Sequence, residues 1–327
     1  MSRKPEFPPY RPPRWLQQPD LMTMATSIWP WATPALRQQR WEHRLPVDRE
    51  TTIRLIVNGK PSSEQPTLVL LHGFCGDAEA SYIRLSADHA RRMGWATVRI
   101  NVRNHGETEA DTPGLFHGGM YDDAEATVNW LLEELGVRHL QIIGFSLGGN
   151  MVLRMAAAWE DRFPDGVKGI TAVSPAVDLT KTSRALETCR FSPIYTQYFM
   201  RKLRKIYARK HRHFPDLFPK GGMKGLRSVR DFDEQIVAPA FGFRDAAHYY
   251  LEASALKVAH KIQVPTLLVH SRDDPFVPAE PLDDPVFKSN PHCRIRITDR
   301  GGHVAFMQKS PNERAYWCEL TPWHQQS

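Results

Sequence analysis

Two kinds of apolar pattern alternate along the chain. WEHRLPV from Trp41 and TTIRLIV from Thr51 alternate apolar with polar residues, the period of a half-buried antiparallel strand. TLVLL at Thr67–Leu71 is a continuous apolar run with branched side chains, which suits a strand buried on both faces. From there, helical and strand-like patterns take turns. The spacing predicts a helix over 78–93 followed by the strand ATVRINV, and a helix over 122–135 followed by LQIIGF. It then predicts a helix over 147–159 followed by GITAVS, and near the end the strands VPTLLVH and CRIRIT. Repeated strand–helix units predict an α/β fold: a mainly parallel sheet flanked by helices on both faces.

The rhythm breaks over 178–260, where no buried strand is legible and helix-like stretches cover 194–211 and 245–259. An insertion of this size predicts a helical cap set into an α/β core made of 41–177 and 261–327. Residues 1–40, rich in Pro and Trp, predict an irregular arm lying on the body. No internal repeat interrupts this organisation.

Composition changes the picture little. Of the 327 residues 41% are hydrophobic and 24% charged, which is usual for a water-soluble domain. No run approaches the ~20 apolar residues of a membrane span. The opening MSRKPEFPPYRPPRW lacks the apolar stretch of a secretory signal, so a cytoplasmic location is expected. Cys75, Cys189, Cys293 and Cys318 lie far apart with no CxxC pair, so reduced thiols are expected rather than a disulfide frame or zinc site. No metal or cofactor is expected.

Charge adds one feature. Much of the +7 excess falls in RKLRKIYARKHRH at 201–213, whose cations begin at Arg201 and end at His213. No nucleic-acid-binding motif accompanies it, and no nucleic-acid partner is expected. A solvated helix face is the plain reading, and weak contact with an anionic membrane surface the second. Ile194, Tyr198, Leu203, Ile206 and Tyr207 recur at mostly helical spacing among these cations. They predict an amphipathic helix whose apolar side lines a pocket for an acyl tail.

The chemistry centres on Gly144-Phe145-Ser146-Leu147-Gly148, a G-x-S-x-G between a predicted strand and a predicted helix. A serine at such a turn has a strained backbone and an exposed hydroxyl, and the flanking glycines leave room for the turn. The hydroxyl needs a histidine base, itself oriented by a carboxylate, in the chain order Ser, Asp or Glu, His. Asp273 and Asp274 follow VPTLLVH in the loop SRDDPFVP, and His303 follows CRIRIT in the loop DRGGHVAF. Parallel strands bring all these loops to one edge of the sheet, where ligands bind in open α/β sheets. Spacing does not choose between the two aspartates. The oxyanion donors expected are the backbone N–H groups of Leu147 and of Phe74 in the turn His72-Gly73-Phe74. His105, in Arg103-Asn104-His105-Gly106, is read as structural, and Cys75 as a small buried apolar residue. His43, His89, His211, His213, His260 and His292 are read as surface or cap residues.

With HGF, RNHG, GFSLGG, DDPFVP and GGH in place, the chain resembles the α/β-hydrolase superfamily from Trp41 onward. More narrowly it resembles the YheT-like branch, which includes plant embryogenesis-associated and animal abhydrolase proteins. FHGGMYDD at 116–123, YTQYFMRKLRKIYARK, SVRDFDEQIVAPAFGFRDAAHYYLEAS and SRDDPFVP carry that likeness. The resemblance implies the α/β-hydrolase fold, an esterase or lipase-like activity, and a catalytic set of Ser146, Asp274 and His303. Asp274 takes the place of the aspartate in the family's D-x-x-V-P spacing. The expected reaction is carboxylic ester hydrolysis through an acyl-enzyme on a small-molecule ester, an acyl lipid among the candidates. Thioester cleavage, acyl transfer and C–C bond hydrolysis use the same residues. A ligand-binding module of this fold is the alternative of another class, against which an intact Ser-Asp-His set speaks.

Overall fold

The computed structural model describes residues 7–28, 33–308 and 315–320. Eight strands form one sheet: Arg40–Pro46 (β1), Thr52–Asn58 (β2), Thr67–Leu71 (β3), Ala96–Asn101 (β4), Leu140–Phe145 (β5), Val167–Val173 (β6), Thr266–Ser271 (β7) and Cys293–Thr298 (β8). Their order is β1-β2-β4-β3-β5-β6-β7-β8. β1, β2 and β4 pair antiparallel, and every pairing from β4 to β8 is parallel. The apolar pattern explains the order. Every residue of β3, β4, β5 and β7 is buried, as the continuous apolar run of β3 requires and as β4 achieves even with Arg99 and Asn101 in it, whereas edge strand β1 buries Leu45 and exposes most of its length. This is the mainly parallel α/β sheet that the patterning predicts, in the α/β-hydrolase arrangement that the resemblance implies.

The longer helices are Pro19–Ile28 (α1), Ser81–Arg92 (α2), Asp122–Asn129 (α3), Leu147–Trp159 (α4), Leu179–Thr188 (α5) and Ser192–His213 (α6). α4 has the bounds expected. α3 is shorter than expected because its chain widens into a π turn over Trp130–Glu134. The arm expected to be irregular contains α1. Pro19 opens the helix, Asp20 stands in its first turn, and Met22 is buried against Ala305 and Met307. Tertiary burial therefore orders a segment whose Pro and Trp content reads as loop.

Between β6 and β7 the described chain contains helices and turns and no strand. Asp178 opens this segment by accepting the Lys181 N–H at 3.0 Å, a side-chain cap for α5. Leu186, Met200, Leu203, Phe232 and Tyr250 pack together there, and the cluster continues into Cys75, Phe276 and Val277 from loops beyond the strand ends. Asn150 of α4, fully buried, ties the layers. Its Nδ2 donates to the Gly118 and Ala253 carbonyls at 2.7 and 2.8 Å, and its Oδ1 accepts the Ala255 N–H at 2.7 Å.

α6 departs from the expected faces. Ile194 and Tyr198 are 52% and 46% exposed, while Tyr195, Met200, Leu203, Ile206, Tyr207 and Lys210 form the buried stripe. Each residue turns about 100° around a helix, so 195, 199, 203, 206 and 210 share a face that 198 borders and 194 points away from. Lys210 is also not on a solvated side. Its Nζ donates to the Glu109 and Thr112 carbonyls and stands over the Phe214 ring at 4.4 Å. Burial lowers this ammonium to about 8, against the pull of Glu109. Arg209 pairs with Glu109 at 3.0 Å, which leaves Arg201, Lys205 and Arg212 among the exposed cations of the helix.

Candidate active site

Ser146 joins β5 to α4 with φ 54° and ψ −119°, a conformation L residues rarely adopt and one that costs on the order of 1–3 kcal/mol. The surrounding backbone holds it there. Its N–H donates to the Val173 carbonyl at 2.9 Å, and its carbonyl accepts from the Asn150 and Ala176 N–H groups. The glycines of the pentapeptide are required by close approach. A Cβ on Gly144 would lie 2.3 Å from the Gly148 carbonyl oxygen, and one on Gly148 would lie 2.4 Å from that of His72.

The loops after β7 and β8 bring Asp274 and His303 to this serine. The Ser146 hydroxyl donates to His303 Nε2 at 2.9 Å, and His303 Nδ1–H donates to Asp274 Oδ2 at 2.7 Å. A carboxylate offers only lone pairs, which fixes the proton on Nδ1 and leaves Nε2 free to accept. The Asp274 side chain is 1% exposed, and its other oxygen accepts the Val277 and Phe276 N–H groups at 2.9 and 3.2 Å. Asp273 faces elsewhere. Its Oδ1 accepts the Gly302 N–H at 2.9 Å, and burial raises its carboxyl above the usual range.

The His303 loop is gripped residue by residue. Ser271 Oγ donates to the Gly302 carbonyl at 2.8 Å, the His303 N–H donates to Thr23 Oγ1 at 2.8 Å, and the Val304 N–H donates to Ser174 Oγ at 3.2 Å. Nothing in the sequence pattern ties Thr23 to the site, since it is one hydroxyl in an arm 280 residues away.

Leu147 follows the serine directly, and the turn that carries Phe74 lies beside it. A Cβ on Gly73 would lie 2.9 Å from Ser146 Cβ, so the His72-Gly73-Phe74 turn is pressed against the nucleophile. The Gly73 carbonyl accepts from His72 Nδ1–H at 2.8 Å and from the Gly76 N–H at 3.0 Å. In a trans peptide this turns the Phe74 N–H to the opposite side. The Leu147 N–H is the first amide of α4 and has no intrahelical acceptor. His72 Nε2 accepts the Val102 N–H at 3.2 Å, so the ring fixes this turn at both ends.

His105, read as structural, is buried 4.9 Å from the His72 ring, with Nδ1 donating to the Arg103 carbonyl at 3.0 Å. His89, expected at the surface, is buried instead, because α2 turns that side toward β3 and β4. Cys75 is buried, and burial raises its thiol above the ordinary range. Among the described residues no group of three or more His, Cys, Asp or Glu is arranged to hold a metal. No helix among them is long and apolar enough to cross a membrane.

Burial lowers His72 to about 4 and His105 to about 3, in each case with a backbone carbonyl pulling weakly the other way. The unfolded chain, with histidines near 6.5, therefore takes up more protons than the folded one in acid. Stability present above pH 6.5 should be lost as pH falls, by about 1.4 kcal/mol per pH unit for each such histidine. Melting curves should show Tm declining from pH 6.5 to 4.5, and a level Tm across that window would contradict the two buried neutral rings.

Residues 66–310 match the family model described as the alpha/beta hydrolase fold. YheT of Escherichia coli (strain K12), which is named as an esterase, is 30% identical over 264 residues, 80% of this chain and 76% of that one. The monoacylglycerol lipase of Saccharomyces cerevisiae is 28% identical, over 77% of this chain and 57% of its own length. The embryogenesis-associated protein EMB8 of Picea glauca is 25% identical, over 76% of this chain and 55% of its own length. The chain thus spans little more than half of these last two relatives. Among solved structures, the Pyrococcus furiosus esterase Pf2001 superposes with a TM-score of 0.58 at 17% identity, covering 96% of this chain and 95% of that one, a likeness of fold.

Proposed function

From the premise that the chain belongs to the α/β-hydrolase fold family and is an esterase or lipase-like hydrolase, we propose that Ser146, His303 and Asp274 cleave a carboxylic ester through an acyl-enzyme. The observation that carries this reading is the unbroken relay from the serine hydroxyl to the histidine and the buried carboxylate, 2.9 and 2.7 Å long. His303 Nε2 removes the hydroxyl proton as Ser146 Oγ attacks the ester carbonyl, then returns it to the departing alcohol. The same nitrogen next takes a proton from water as its oxygen attacks the acyl-enzyme, and gives that proton to Ser146 Oγ as the acyl–Oγ bond breaks and the acid leaves. Asp274 holds the imidazole in the tautomer required and stabilises its cationic form. The Phe74 and Leu147 N–H groups are the donors for charge developing on the carbonyl oxygen.

Apolar surroundings support an acyl substrate. The Phe74 ring lies 5.3 Å from Phe199 of α6, and Phe276 packs between Tyr195 and His303 at 4.8 and 4.4 Å. These rings are the apolar surface that an acyl chain on Ser146 would meet. Exposed Ile194, Tyr198, Arg201 and Lys205 favour an anionic lipid surface as the place where such a chain is met, at about 1 kcal/mol per cation near the surface. A panel of esters of increasing acyl length, offered on neutral and on anionic vesicles, tests both. Rates should rise from acetyl to longer chains and be higher on the anionic vesicles. A strict preference for acetyl rejects the acyl pocket, and equal rates on the two vesicles reject the surface contact.

A further inference from the structure

The hydroxyl of Thr23 joins helix α1 to the loop of His303. It accepts the His303 backbone N–H at 2.8 Å and donates to the Pro19 carbonyl at 2.8 Å, so it uses both of its hydrogen-bonding roles. The approach is close. A Cβ on Gly302, itself at φ 59°, would stand 2.8 Å from Thr23 Oγ1 and 2.9 Å from the Pro19 oxygen. Three residues back on the same face of α1, buried Asp20 accepts the Tyr195 hydroxyl of α6 at 2.8 Å. Tyr195 packs on Phe276, and Phe276 packs on the His303 ring. One turn of α1 therefore touches both the histidine loop and the inserted helix above it.

This loop does not keep its shape by local preference. Val304 and Phe306 have φ of 51° and 42°, left-handed values that bulky L residues adopt only when their surroundings impose them. The imidazole must nonetheless meet Ser146 Oγ and Asp274 Oδ2 together. We infer that α1 is a working part of the active site, with Thr23 a positioning residue that sets the backbone of His303 and Asp20 anchoring α1 to α6. The inference rests on the reading of His303 as the base that activates Ser146.

The test is the rate at which a fluorophosphonate probe labels Ser146, followed together with kcat and KM for an ester. Thr23→Val keeps the side-chain shape and loses both hydrogen bonds. It should slow labelling and lower kcat by about 10²-fold, the cost of a misplaced catalytic group, with KM and the final extent of labelling unchanged. Thr23→Ser should restore both rates. The final extent counts folded sites, so partial unfolding would appear there and not as slower labelling. Wild-type labelling rates in Thr23→Val, a Ser variant as slow as the Val variant, or a loss confined to the final extent would each overturn the positioning role while leaving the serine-hydrolase reading standing. No labelling of the wild-type chain would overturn that reading, and the positioning role with it.

Discussion

Ser146→Ala should lower ester hydrolysis on the order of 10⁶-fold, because the nucleophile and its base act as a unit and the remaining donors sustain only a small residual rate. His303→Ala should fall to a similar level, and the double variant little further. The fold should not suffer. The Ser146 side chain bonds to His303, while its own backbone hydrogen bonds to Val173, Asn150 and Ala176 hold the strained turn and do not involve the hydroxyl. Turnover with a series of esters, read beside the melting temperature, decides the matter. A soluble, normally melting Ser146→Ala protein with near wild-type turnover would end the assignment of this serine as nucleophile.

The two adjacent aspartates should separate by orders of magnitude. Asp274→Asn replaces one carboxylate oxygen with an amide nitrogen, which leaves His303 Nδ1 without a charged acceptor and favours the wrong tautomer. A loss of about 10⁴-fold in kcat is expected from that change. Asp273→Asn retains a carbonyl oxygen for the Gly302 N–H and should keep most of the activity. It also relieves a carboxyl that burial already disfavours in its charged form, so its stability should hold or rise slightly in the neutral range. Parallel measurement of kcat and Tm for the two variants is sufficient. Large loss at Asp273 with Asp274 spared would exchange their roles.

Much of this was legible before any coordinates. Local patterning determined the buried strands, the bounds of α4 and the helix-only stretch between β6 and β7, because a strand buried on both faces is mostly apolar and an amphipathic helix must repeat near 3.6 residues. The G-x-S-x-G turn singled out Ser146 because its glycines are dictated by short-range crowding between β5, α4 and the His72 carbonyl. The chain order of Asp and His loops after β7 and β8 narrowed the partners, since parallel strands deliver their following loops to one edge.

Tertiary structure alone decided the rest. Position after the strand leaves Asp273 and Asp274 equivalent and only the family likeness pointed to Asp274; where the loops after β7 and β8 lie in space is what puts the Asp274 carboxylate on His303 and that of Asp273 on the Gly302 N–H. The faces of α6 depend on a rotation of the helix about its own axis, which moves Ile194 and Tyr198 to the surface and buries Lys210 among carbonyls and rings. α1 forms because Met22 finds Ala305 and Met307 and because Thr23 finds the His303 N–H, both at the far end of the chain. Sequence patterning determines the hydrogen bonds and apolar contacts that a segment makes with itself. The contacts that orient His303 join it to residues 29, 157 and 280 positions away, and their positions exist only once the sheet has brought those segments together.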